Sequence, residues 1–238
     1  MPFRTPSSLR AAFTLIGLLT VIAIIGILAA IIIPVVGKVR DSARDSNSRS
    51  NLRQIGMTNQ LYAQENKGIT VPGKGPNPSN PTAWAQWQVL LSKFTEGKVL
   101  AGDWEINQDA VTGYKAKSFF AEPKWTESAP GWSAGPNESG FGLNMRPTRP
   151  TDAQSDMDWS WNSNAKSRVN LNTINSPSRR IFAAVWTTWN MFPTTSATQA
   201  NLINAAARYN SRKISAAYFD GHISKLDPVE FHAAINQP

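Results

Sequence analysis

The sequence predicts an α+β fold in which one very long N-terminal helix continues into a globular head with an antiparallel β-sheet. Three observations predict it. Residues 11–40, AAFTLIGLLTVIAIIGILAAIIIPVVGKVR, are almost unbroken hydrocarbon. The next stretch, up to residue 67, keeps a narrow apolar stripe at three- and four-residue steps. Near the C-terminus, KISAAYFDGHISKLD sets Asp220-Gly221 between two strand-like runs. That is the strongest short hairpin signal, because both central residues of a two-residue turn take positive φ.

The chain opens with a short basic leader, residues 1–12, containing Arg4 and Arg10. Residues 13–36 then carry no charged side chain. A helix of that length reaches ~36 Å, enough to cross a bilayer core with some tilt. A secretory signal has an apolar region of only about 7–15 residues before a small-residue cleavage site. Ala29-Ala30 imitates such a site, but the run continues through Ile31, Ile32 and Ile33. Anchoring in a lipid bilayer is therefore favoured over removal. Ala23, Gly26, Ala29 and Ala30 are small residues that let helices approach closely in lipid.

Charge supports a topological reading. Residues 1–67 hold eight Lys/Arg against three Asp/Glu, whereas residues 68–238 hold sixteen against thirteen. The excess thus flanks the apolar run. Arg4, Arg10 and the terminal amine favour a cytoplasmic N-terminus. Lys38, Arg40 and Arg44 oppose this mildly, with Asp41 and Asp45 interleaved. No nucleic-acid-binding module accompanies the charge, so no nucleic-acid partner is expected. The absence of cysteine excludes disulfides, a thiol nucleophile and thiolate metal sites.

Beyond the apolar run, Val39 and Ala43 stand four apart, and Leu52, Ile55, Asn59 and Tyr62 follow at helical steps. Lys67-Gly68 supplies a basic last turn and a glycine suited to a left-handed stop. The expectation is one helix, apolar over residues 13–36 and amphipathic over residues 37–67. Pro34 removes a backbone donor and crowds the preceding turn, so a kink or melted turn is expected near Pro34 and Gly37. Two helices meeting at Gly37 is the alternative.

The basic leader followed by FTLIGLLTVIAIIGILAA at residues 13–30 and a proline at Pro34 resembles the N-terminus of type IV prepilins and type II secretion pseudopilins. The resemblance implies a pilin-like fold and cleavage between Ala12 and Phe13 by a prepilin peptidase. It also implies N-methylation of the new Phe13 amine. Implied partners are other pilin-like subunits packed through residues 13–36 and an inner-membrane assembly platform. The chain would cross the inner (cytoplasmic) membrane once, with its head in the periplasm or outside the cell. Two positions depart from the pattern. Ala12 replaces the glycine usual before the cut, and Gly17 stands where the family has glutamate. A carboxylate in lipid is costly unless it meets a positive group. The family supplies the neighbouring subunit's amine, and a chain with Gly17 does not offer that attraction. This suggests a minor or tip-proximal subunit; an ordinary subunit or a non-assembling anchor are the alternatives.

In the head, residues 68–238, GITVPGKGPNPSNPT reads as a loop, and an amphipathic helix is expected over residues 82–95 from Trp84, Trp87, Leu91 and Phe94. Strands are expected at residues 118–121, 141–145, 168–174, 179–189, 214–219 and 222–226, with Phe219 facing His222 across the last turn. The ending resembles the pilin-like proteins of planctomycetes and verrucomicrobia, which carry a strand–Asp-Gly–strand unit preceded by a histidine. Asp220 and Gly221 match. The histidine's place falls at Asn210, or at Tyr209 if one residue is inserted, and Glu122 stands where relatives often have a cysteine.

Chemistry has little support in the sequence. His222 and His232 lie ten residues apart without a zinc-ligand pattern. No phosphate loop, nucleophile elbow or nucleotide fingerprint occurs, and neither a cofactor nor an enzymatic activity is expected. Asp152, Asp156 and Asp158 offer oxygen ligands that would suit calcium, but without EF-hand spacing a solvated acidic loop is simpler. Of the nine tryptophans, Trp125, Trp132, Trp159, Trp161, Trp186 and Trp189 would either form a stacking surface for sugars or fill the core. The function expected is a structural subunit of a type IV pilus or type II secretion pseudopilus. A membrane-anchored monomeric binding protein is the rival.

Overall fold

A computed structural model describes residues 15–77, 80–92, 94, 119–124, 140–144, 169–186, 190–191, 196–207, 209 and 211–235. The leader and the junction between Ala12 and Phe13 lie outside the described residues. The chain divides into two units, Met1–Ser42 and Ala43–Pro238.

Helix α1, Leu15–Glu65, is continuous for 51 residues and contains Pro34. The expectation of a single helix therefore holds over the described range, and the helix has no melted turn at Pro34 or Gly37. In the first unit every large apolar side chain from Leu15 to Val36 is 46–82% exposed. Val39, expected on the buried stripe, is itself 61% exposed.

The second unit starts from the rest of α1. Asp45, Ser48, Leu52, Ile55, Asn59 and Ala63 are buried, at steps of three or four residues that keep them on one face. The helix stops as its sequence suggests. Lys67 and Gly68 both adopt positive φ, and the Gly68 N–H donates to the Ala63 carbonyl at 2.7 Å. That bond spans one residue more than the helical repeat, and the same carbonyl also accepts the Asn66 N–H at 3.1 Å, which closes off the last turn.

Strands β1 (Lys74–Asn77) and β2 (Asn80–Gln86) form a separate antiparallel hairpin, followed at once by helix α2 (Trp87–Ser92). The helix expected from residue 82 is thus corrected: Trp84 lies on a strand paired with Pro76, and only the later part of the apolar period is helical. The Trp87 N–H donates to the Gly73 carbonyl at 3.0 Å, which fixes where the strand gives way to the helix.

The main sheet contains β3 (Phe141–Asn144), β4 (Ile181–Val185), β5 (Asn190–Met191), β6 (Ile214–Tyr218) and β7 (Ile223–Leu226), in the order β5-β3-β4-β6-β7. The four longer strands pair antiparallel, and β5 joins β3 in parallel. Of the strands expected at residues 118–121 and 168–174, the described parts, residues 119–121 and 169–174, form none; residues 118 and 168 lie outside the described residues. Phe119 and Phe120 lie in a turn. Asn170 makes a single bridge with Ile69, then accepts the Asn172 N–H on its side chain at 3.0 Å and starts a short 3-10 turn. An asparagine that bonds its own downstream backbone favours a turn over a ladder.

Strands β4 and β6 are buried at every residue, IFAAV and ISAAY, with no polar alternation. Both faces of the sheet are covered, which requires such sequences. One face packs Ala183, Val185, Ala217 and Phe219 against Leu52 and Ile55 of α1 and Trp87, Val89 and Leu91 of α2. The opposite face packs Ile181, Ala184, Trp186, Ile214 and Ala216 against two helices that the sequence reading did not anticipate. These are α3 (Ser196–Ala207), through Leu202, Ala205 and Ala206, and α4 (Pro228–Ile235), through Phe231 and Ile235. A bulge between Ile181 and Ala183 brings Phe182 and Ala183 into the same core, where Phe182 meets Phe219 edge-on at 5.3 Å.

Helix α4 begins with a reciprocal cap. The Asp227 carboxylate accepts the N–H groups of Val229 and Glu230 at 2.9 and 2.8 Å, and Glu230 accepts the Asp227 N–H at 2.9 Å. With Pro228 at the first helical position, four residues specify the start of the helix.

Candidate functional site

The strongest candidate surface is the apolar rod of α1. Among the described residues it is the one helix long and apolar enough to cross a membrane, and none of its most apolar stretch is buried. A row of exposed isoleucines and leucines this long is stable in water only when something covers it. Glycine is not required along the rod by crowding within the chain. A Cβ added at Gly26 or Gly37 meets nothing within 4 Å, although glycine costs about 1 kcal/mol relative to alanine in a helix interior. At Gly17, where the resemblance implies glutamate, the carbonyl accepts a hydrogen bond from Thr20 Oγ1 at 2.9 Å. The methylation position Phe13 and the cleavage residue Ala12 lie outside the described residues.

In the second unit the C-terminal hairpin is fastened to α1. Lys225 of β7 pairs with Asp45, and Gln60 Nε2 donates to the Phe219 carbonyl at 3.0 Å. The hairpin turn differs from the expected form. Tyr218, not Phe219, faces His222, with the Tyr218 N–H donating to the His222 carbonyl at 3.0 Å. The loop therefore has three residues, Phe219, Asp220 and Gly221. Gly221 alone among them has positive φ (91°), and its N–H donates to the Tyr218 carbonyl at 2.9 Å. This is a tight turn followed by a glycine bulge. Phe219 is buried by it, and its N–H donates to the Arg180 carbonyl at 3.1 Å.

Asp220 still organises the tip. Its Oδ1 accepts the His222 N–H at 3.1 Å and stands 2.6 Å from His222 Nδ1, while the His222 ring stacks on Tyr218 at 4.0 Å. His232 is exposed on α4. Among the described residues no three His, Cys, Asp or Glu side chains gather as a metal site. Asp152, Asp156 and Asp158 lie outside the described residues.

The structure also brings together two positions singled out by the second resemblance. Tyr209 donates its hydroxyl to Glu122, 87 residues away in sequence, and Glu122 is 2% exposed. The Lys124 N–H donates to the other carboxylate oxygen at 3.0 Å, and the Lys124 ammonium lies 5.3 Å from the centre of the Tyr209 ring. The Tyr209 hydroxyl also lies 3.4 Å from the Arg44 carbonyl oxygen, and Asn51 Nδ2 donates to the Ala121 carbonyl at 3.1 Å. Residues 119–124 are thereby fixed on α1, with Phe120 edge-on to Trp87 at 6.0 Å. Asn210 lies outside the described residues.

Trp186 is 2% exposed and stacks on Phe231 at 5.5 Å, so it fills the core and is no sugar platform. Trp125, Trp132, Trp159, Trp161 and Trp189 lie outside the described residues. No protein-family model matches the chain, nor does any curated protein or any solved structure.

Proposed function

We propose that this chain is a pilin-like structural subunit, minor or tip-proximal, of a type IV pilus or type II secretion pseudopilus. The observation that carries the reading is the uncovered apolar rod of α1, which needs lipid before assembly and other helices after it. The motif at residues 13–30 adds the processing step: a prepilin peptidase cuts between Ala12 and Phe13, and the new amine is methylated. Residues 13–36 then hold the chain in the inner membrane, N-terminus cytoplasmic, until the rod is withdrawn and stacks among its neighbours. Gly17 removes the carboxylate that would attract a neighbour's amine, while this chain's own amine stays available to a subunit that has one. That asymmetry supports a place at an end of the stack.

Mass spectrometry of the mature N-terminus tests the pathway. A chain beginning at methylated Phe13 is expected; a purified chain that keeps its leader overturns the proposal. Gly17 also favours a second reading, a monomeric anchored binding protein on the surface or in the periplasm. Cysteines placed along residues 13–36 separate the two, because a monomer gives no crosslinked ladder.

A further inference from the structure

We draw no further inference here: the strongest candidate, the exposed surface patch of Met57 and Leu61 on the outer half of α1 between Arg53 and Glu65, is an apolar helix face, and nothing in the structure shows what covers it.

Discussion

Lys225, on the last strand of the sheet, forms an ion pair with Asp45 on α1, 180 residues earlier in the chain. Its partner is the less accessible of the two: the Asp45 side chain is 11% exposed and that of Lys225 28%. Removing Lys225 leaves a carboxylate with little access to water. Lys225→Ala is expected to destabilise the head by about 1–2 kcal/mol, less than for a fully buried pair because the lysine is partly solvated. Urea unfolding followed by tryptophan fluorescence measures it. The double exchange Asp45→Asn, Lys225→Met is expected to recover most of the loss, and a double variant as weak as the single one refutes the account.

Tyr209→Phe tests the Glu122 cluster. The buried carboxylate loses its hydroxyl donor and keeps the Lys124 N–H. A loss of ~1–3 kcal/mol is expected from removing a hydrogen bond to a buried charged group. Glu122→Gln, which still accepts from Tyr209, should cost less than Tyr209→Phe in the same unfolding measurement.

The hairpin turn gives opposite predictions at adjacent residues. Gly221 has φ of 91°, so Gly221→Ala strains the backbone, at a cost of about 1–2 kcal/mol. Asp220 has no positive φ. Asp220→Gly therefore brings no relief, and costs about 0.5–1 kcal/mol in chain entropy besides its contacts with His222. A gain in stability from Asp220→Gly would show that the two-residue turn forms after all.

Gly17→Glu addresses assembly. Restoring a carboxylate at the fifth position after the proposed cut is expected to raise incorporation into filaments, read as the chain's share of sheared surface material. Retention of the unassembled chain in the membrane should be unchanged. Equal incorporation of both forms means that the glycine has no bearing on stacking.

Legibility followed the strength of the local pattern. α1 was readable because its apolar run is long and because Leu52, Ile55 and Asn59 keep helical spacing where the helix meets the core. The paired strands β6 and β7 were readable from Asp220-Gly221, but loop length was not, since a dipeptide does not say which flanking residues exchange hydrogen bonds. α4 was missed although Asp227-Pro228-Val229-Glu230 carries a complete start signal. α3 was missed because its buried stripe is largely alanine, Ala205 and Ala206 beside Leu202, and alanine contrasts little with its neighbours. Trp84 misled by standing at helical spacing from Trp87 while lying on a strand. The Glu122–Tyr209 and Asp45–Lys225 pairs join distant parts of the sequence and have no local signature.

Leu52 and Ile55 are fully buried beneath the sheet, which makes the outer half of α1 one wall of the head. Cutting the chain after residue 65 would strip that wall and wet the underside of β4 and β6, so a soluble fragment has to begin well before Asp45 to stay folded.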